Sequence, residues 1–142
     1  DLVFSSVRLD AKATPVSGYI QRNAVQSESR THGFFYQPQG EANGILGLPI
    51  LGGSEERPSA AVKYLRNKKL QLSDLGLLVA SPGKARDDGC QVSCVDWYGN
   101  ARPIFIGGRV YALMGYELVE GRIVDDALVE LRRVNYAPGQ RR

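Results

Sequence analysis

The sequence predicts an all-β protein, and three observations support this prediction. Sixteen glycines and seven prolines among 142 residues suit strands and turns better than helices. Apolar and polar residues alternate over short runs, most clearly at 109–114, where Val110, Ala112 and Met114 fall on one face. Gly107-Gly108 separates two such runs, which is typical of a two-residue hairpin turn. We therefore expect strands joined by short turns.

The second half of the chain, residues 91–135, is predicted to form a meander of about four strands. Its first strand falls on the sequence QVSCVDW, and the later strands are separated by Gly107-Gly108, Gly115 and Asp125-Asp126. In the strand after Gly115, Val119 is expected on the face opposite Glu120. The pattern indicates a β-sheet with one face packed on a core.

The first half of the chain is predicted to hold a looser meander over residues 1–80. Strands fall on residues 1–9, 16–23, 32–38 and 44–51, with a turn over 40–43. Good helix formers at 60–72 leave a helix as the competing interpretation. We favour a hairpin there, with its turn at 66–69, because Asn67 lies between two alternating runs. Residues 81–90 are a polar loop, and 91–137 form the last meander of a single 1–142 domain.

Composition excludes several classes of protein. The apolar fraction of 43% and the charged fraction of 23% are ordinary for a folded soluble domain. No apolar run reaches the length of a membrane-spanning helix. The formal charge of +3 comes from dispersed lysines and arginines, so a nucleic acid is not the expected partner. The residues carry no phosphate-binding or nucleophile motif, and no cofactor or metal site is predicted.

Two segments resemble a known family. Residues 32–38 read HGFFYQP and are followed by the apolar run 44–50, while residues 102–111 read RPIFIGGRVY. This pattern resembles the secreted bacterial and archaeal C-terminal β-propeller proteins distantly related to WD repeats, over roughly residues 30–125. The resemblance implies a propeller fold and an extracytoplasmic location, which is periplasmic, cell-surface or secreted. It implies no catalytic residue.

Length constrains this interpretation. A propeller blade takes ~40–50 residues and a ring needs at least four blades, so the chain has room for two four-stranded blades. We expect it to be completed by another polypeptide, by the rest of a cleaved precursor or by self-association. An N-terminal Asp1 in place of an initiator Met indicates proteolytic processing. A compact β-sandwich or barrel is the alternative fold.

The two cysteines, Cys90 and Cys94, are a disulfide candidate. Four residues of straight strand span ~13 Å, beyond the ~7 Å limit on Cα separation, so a bond requires a tight turn between them. Two independent thiols and a metal site are the alternatives. A zinc site would need further ligands, and His32 is the only imidazole in the chain.

His32 is also the weak candidate for a catalytic residue. As a base it would need an acid or a nucleophile brought near by the fold, and the competing interpretation is a structural clamp at the start of a strand. Six aromatic residues could form a stacking platform for bases or sugars, but core packing between blades is the simpler interpretation. These six are Phe34, Phe35, Tyr36, Trp97, Tyr98 and Tyr111. The interface or core candidates are Phe34, Phe35, Tyr36, Ile104, Phe105 and Tyr111.

Together these residues favour a non-enzymatic binding or scaffold subunit of β-propeller type, located outside the cytoplasm and engaged in protein–protein interaction. The alternative is a propeller enzyme, a hydrolase or lyase, whose channel site uses His32.

Overall fold

A computed structural model describes residues 1–31, 33–54, 57–81 and 101–136. These residues form eleven antiparallel β-strands and no helix, so the all-β prediction is confirmed. Among them the sheets close into neither a barrel nor a ring of blades. The strands are β1 Leu2–Leu9, β2 Ala13–Gln21, β3 Ala24–Gln26, β4 Phe35–Pro38, β5 Asn43–Ser54, β6 Arg57–Lys68, β7 Gln71–Val79, β8 Arg102–Ile106, β9 Arg109–Met114, β10 Glu117–Val124 and β11 Ala127–Asn135.

The strands are divided among three sheets. The N-terminal hairpin is β1 paired with β2. The central sheet has the order β3-β5-β6-β7, and β4 also pairs with β5. The C-terminal sheet has the order β8-β9-β10-β11, so each strand pairs with its neighbour in sequence.

The central sheet is covered on both faces. Residues 44–50 of β5 are all buried, which explains why this strand reads as a continuous apolar run instead of an alternating one. One face contributes Ile45 and Val62 to a core shared with the C-terminal sheet. The other face contributes Leu46 and Leu65 to a second core, which includes Phe4 of the N-terminal hairpin. The three sheets are therefore layered, with the central sheet in the middle.

Tight turns set the meander of the C-terminal sheet. Gly107 and Gly108 both have positive φ, 56° and 75°, as a two-residue turn between β8 and β9 requires. Asp125 and Asp126 adopt φ of 49° and 61° between β10 and β11, and aspartate tolerates this region better than most residues. These two turns and the turn at Gly115 lie where the sequence predicted them.

The region 60–72 is a hairpin, so the helical alternative is wrong. β6 and β7 pair antiparallel, with Lys69 and Leu70 at positive φ in the turn. The turn therefore begins later than the predicted 66–69, because the pairing extends to Lys68↔Gln71. Likewise β5 and β6 pair out to Ser54↔Arg57, through a polar stretch expected to separate strands. Backbone pairing continues there although no apolar pattern marks it.

The first half of the chain differs from the single meander expected over residues 1–80. Residues 1–79 form two sheets, because β1 and β2 pair only with each other in the described sheets. The side chains of Phe4 and Tyr19 lie across from each other in register and pack on the face of the central sheet. The hairpin thus buries its apolar side face to face, and does not extend the central sheet at an edge. The predicted strand at 91–97 lies outside the described residues.

Strands of successive sheets lie over one another in sequence order. β8 lies against β4 and β5, β9 lies against β6, and β11 lies against β7. The N-terminal hairpin contacts the other side of the central sheet mainly through β2 and β7. At the closest approach of β5 and β8, a Cβ on Gly47 would lie 2.4 Å from Cβ of Pro103, so only glycine fits there. The central and C-terminal sheets are therefore in close contact at this point.

Candidate functional site

A groove of about 500 Å³ opens where the strand ends of the central and C-terminal sheets meet. This volume lies within the range of ordinary small-ligand sites. β4 and the residues after it contribute two glutamines, and β9 and β10 contribute most of the opposite wall. The lining residues are Gln37, Gln39, Ile45, Arg66, Gly108, Arg109, Val110, Glu120, Gly121, Arg122, Ile123 and Leu131.

The face of the C-terminal sheet that is turned away from the central sheet carries a three-member charge network. Nε of Arg109 donates to Oε1 of Glu120 at 2.7 Å, and Nε of Arg132 donates to Oε2 of the same carboxylate at 2.6 Å. The hydrogen bond from Arg109, reinforced by Arg132, holds the pKa of Glu120 below its ordinary value. The same bond raises the pKa of Arg109. Two guanidinium groups on one carboxylate leave the network with a net positive charge.

Two further arginines reach the groove. Nε of Arg66 on β6 lies 2.8 Å from Oδ1 of Asp126, which is an exposed residue of the β10–β11 turn. The contact is an ion pair without an aligned hydrogen bond, since the buried Nε of Arg66 has no hydrogen-bond partner in the described part of the chain. Arg122 of β10 is exposed and forms no ion pair with the other described residues.

The pairing of β10 with β11 contains one irregularity. Glu120 pairs with Arg132 and Gly121 pairs with Glu130, so Leu131 of β11 is an extra residue, as in a β-bulge. The side chains of β10 keep their alternation across this point: Glu120 lies on the same face as Tyr111, and Gly121 lies on the opposite face with Val110.

The outward face of the C-terminal sheet is a second candidate surface. Ile104 pairs with Tyr111, and Leu118 pairs with Leu113 on one side and Val134 on the other. These positions alternate with Ala112 and Val119, which are fully buried against the central sheet. We call the five residues Ile104, Tyr111, Leu113, Leu118 and Val134 the outward strip; it crosses all four strands. Charged residues share this face, since Arg102 pairs with Leu113, and Glu120 pairs with Tyr111 and Arg132. The first four members of the strip are partly exposed, and Val134 is exposed.

The other end of the stack has a similar apolar surface. In the N-terminal hairpin Val3 lies across from Ile20, on the face opposite the buried Phe4. Both Val3 and Ile20 are more than half exposed. Each outermost sheet therefore turns apolar cross-strand pairs away from the two cores.

Charged side chains join the three layers. Nζ of Lys63, which is only 2% exposed, donates to Oδ1 of Asp74 at 2.6 Å and lies 4.9 Å from the ring centre of Tyr19 on the hairpin. The hydroxyl of Tyr19 also donates to Asp74, at 2.8 Å. Burial alone would raise the pKa of Asp74, but the hydrogen bonds from Lys63 and Tyr19 outweigh it and lower the pKa.

A second joint lies between β7 and the C-terminal sheet. Nη1 of Arg133 donates to Oε2 of the buried Glu117 at 2.8 Å, and the backbone N–H of Ser81 donates to the same oxygen at 2.8 Å. Burial opposes ionisation of Glu117, yet the hydrogen bonds from Ser81 and the charge of Arg133 lower its pKa. We interpret both joints as structural, since their atoms are engaged in contacts between layers.

The residues singled out by the sequence are dispersed. His32, Cys90, Cys94, Trp97 and Tyr98 lie outside the described residues, so the enzyme hypothesis, the disulfide and the stacking platform stay predictions. Phe34 and Phe35 are half exposed, and the ring of Phe35 lies 5.7 Å from that of Phe105.

The other aromatic and apolar candidates occupy three different environments. Phe105 packs against the core between the central and C-terminal sheets. Tyr36 packs against the second core, and its hydroxyl accepts a hydrogen bond from Asn67 at 2.9 Å. Ile104 and Tyr111 lie in the outward strip, where the guanidinium of Arg109 lies 5.3 Å from the ring centre of Tyr111. Ile104 and Tyr111 are thus placed where a partner sheet could contact them, and the half-exposed Phe34 and Phe35 lie elsewhere on the surface.

Sequence reasoning missed the groove. Its lining residues are far apart in the chain, from Gln37 to Leu131, and no local pattern shows which of them meet. Three or more His, Cys, Asp or Glu side chains placed to hold a metal ion do not occur within the described ranges. The same ranges contain no helix of the length and hydropathy needed to cross a membrane.

No protein-family model matches the chain, and neither the curated proteins nor the solved structures include a match.

Proposed function

We propose that the chain is a binding or scaffold module of β-propeller type, in which a further β-sheet packs on the outward face of the C-terminal sheet. The outward strip carries this proposal. Its cross-strand pairs have the composition of a surface that packs against another sheet, and they cross the whole width of this one. The network of Arg109, Glu120 and Arg132 borders the strip on the same face, and an apolar surface rimmed by polar residues is typical of an interaction site.

The stacking order supports the propeller type. Blades of a propeller are antiparallel meanders packed beside one another. The central and C-terminal sheets lie face to face with their strands in the same order: β8 lies against β4 and β5, β9 against β6, and β10 and β11 against β7. A sheet added on the outward strip would continue the same order, and the exposed pair Val3 and Ile20 offers a second surface at the other end.

The expected partner is therefore a sheet of the same kind, supplied by another polypeptide, by a precursor segment or by a second copy. The resemblance to secreted propeller proteins adds an extracytoplasmic location to the proposal.

A matched pair of substitutions tests the role of the outward strip. Leu118→Glu places a charge at the middle of the strip, whereas Val124→Glu places the same charge at an exposed position near the end of the same strand. We expect Leu118→Glu to abolish association, measured by analytical ultracentrifugation, while Val124→Glu associates like the wild type. Both variants should keep the far-ultraviolet circular dichroism of the parent. Unchanged association of a folded Leu118→Glu variant would overturn the proposal.

A further inference from the structure

We propose that the sheet packed on the outward face of the C-terminal sheet belongs to another polypeptide and places carboxylate groups opposite Arg109 and Arg122. This inference rests on the proposed function and narrows it, because it names the chemistry of the partner. The charges that share the outward face with the apolar strip carry the argument.

The outward face is positively charged. Its strand positions hold four arginines and one carboxylate, that of Glu120. Both oxygens of this carboxylate already accept hydrogen bonds, one from Arg109 and one from Arg132. The remaining guanidinium groups on the face therefore need anions from elsewhere. The four arginines are Arg102, Arg109, Arg122 and Arg132, and all are exposed.

Arg109 and Arg122 lie beside each other on neighbouring strands. Gly121 pairs with Val110, so the next step of the same antiparallel register brings Arg122 opposite Arg109. Like charges directly opposite each other destabilise a sheet. Nη2 of Arg109 lies 2.6 Å from Oε1 of Glu120, whereas Arg122 forms no ion pair with the other described residues. The charge of Arg122 is thus left for a partner to neutralise.

The apolar and basic positions of the face are separated along the strands. Leu118 pairs with Leu113 and Val134 near the turn between β9 and β10. Arg109 and Arg122 lie four residues further from that turn on their strands, a distance of about 13 Å. A complementary surface is therefore apolar at one end and acidic at the other. This asymmetry also fixes the direction in which the partner lies.

The composition of the face favours a protein over a nucleic acid, although phosphate oxygens would also pair with arginine. Single-stranded nucleic acids bind such surfaces by stacking their bases on aromatic rings. Tyr111 is the only aromatic member of the outward strip, and the guanidinium of Arg109 lies 5.3 Å from its ring centre. The other members are aliphatic, as expected for packing against the side chains of a second sheet.

Neither outermost face of a second copy supplies the carboxylates. A second outward face would bring the same excess of arginines to the interface. The outer face of the N-terminal hairpin, opposite the buried Phe4, is uncharged in both strands. Its cross-strand pairs are Val3 with Ile20, Ser5 with Gly18, and Val7 with Pro15. The acidic sheet is therefore assigned to a different polypeptide.

The complex of the chain with its co-purifying polypeptide tests this assignment. Biolayer interferometry measures the Kd between the two at low and at high NaCl concentration, and we expect weaker binding at high salt. Arg122→Met keeps the apolar stem and removes the charge, so it should raise the Kd about tenfold, as expected for loss of one charge-assisted contact. Arg122→Glu should raise it further. Arg8→Met removes an exposed arginine from the N-terminal hairpin and should leave the Kd unchanged.

Several results would overturn the proposal. These are an Arg122→Met variant that binds as tightly as the wild type, equal weakening by Arg8→Met, and an assembly that contains only copies of this chain. In each case loss of association in Leu118→Glu would still support the stacking function, so the two failures are distinguishable. Binding of single-stranded oligothymidine to the isolated chain, lost in Arg122→Glu, would assign the face to a nucleic acid instead.

Discussion

Arg133 on β11 donates a hydrogen bond from Nη2 to the backbone carbonyl oxygen of Val79 on β7, at 2.8 Å. This bond crosses from the C-terminal sheet to the central sheet, while Nη1 of the same guanidinium pairs with the buried Glu117. One side chain therefore joins two layers and neutralises a buried carboxylate. The ordered stacking of the sheets depends on such joints as well as on the apolar core.

We expect Arg133→Met to destabilise the protein by about 2 kcal/mol, because the buried Glu117 carboxylate loses its charged partner. The measurement is the free energy of unfolding in urea. Arg132→Met is the control, since Arg132 lies on the same strand but is 66% exposed. Its loss should cost less than about 1 kcal/mol. Equal effects of the two substitutions would contradict the role assigned to Arg133.

The effects of substituting Lys63 and Asp74 on the free energy of unfolding should be strongly non-additive. Asp74→Asn leaves the ammonium group of Lys63 buried without a carboxylate, at an expected cost of about 2 kcal/mol. In the double variant Lys63→Met/Asp74→Asn no buried charge remains, so its stability should recover toward that of the wild type. Urea unfolding of both variants measures this difference. A double variant less stable than Asp74→Asn would contradict the interpretation of Lys63 as a buried charge in need of a partner.

Stability should fall in acid. The folded pKa values of Asp74 and Glu117 are lowered, so the unfolded chain binds more protons than the folded protein as pH decreases. Their contribution is present above the ordinary carboxyl pKa of about 4, and it is lost as pH falls through the lower folded values. Unfolding in urea at a series of pH values measures how the free energy of unfolding changes with pH. Glu117→Gln should reduce this pH dependence. An unchanged pH dependence in that variant would exclude Glu117 as a contributor to it.

Gly47 tests the close approach of the central and C-terminal sheets. Gly47→Ala would place Cβ within 2.4 Å of Cβ of Pro103, and we expect a loss of about 2 kcal/mol as the sheets separate locally. Gly52→Ala lies on the same strand, where the nearest neighbour of an added Cβ is the carbonyl oxygen of Asn23 at 3.5 Å. That substitution should be neutral or slightly stabilising. Thermal unfolding compares the two, and a tolerant Gly47→Ala variant would disprove the tight packing.

The turns and strands of the C-terminal sheet could be predicted because each depends on local chemistry. Gly107-Gly108 and Asp125-Asp126 are residue pairs that tolerate positive φ. Val110, Ala112 and Met114 alternate with polar or exposed residues because only one face of their strand is buried. The continuous apolar run 44–50 was also identified as a strand, but the local pattern did not show that sheets cover it on both sides.

The arrangement of layers could not be predicted in the same way. Whether β1 and β2 extend the central sheet or pack on its face depends on long-range contacts such as Tyr19 with Asp74, which no local pattern encodes. The groove depends on residues of β4, β6, β9 and β10 that meet where two sheets pack together. No single stretch of residues carries a signature of that meeting.

The mass of the native assembly tests the central proposal most directly. If a further sheet packs on the outward strip, native mass spectrometry of the purified chain should show species heavier than 15.6 kDa, and denaturing separation should reveal either several copies or a second polypeptide. A soluble monomer of 15.6 kDa that unfolds cooperatively, at every concentration measured and with no co-purifying chain, would contradict the proposal.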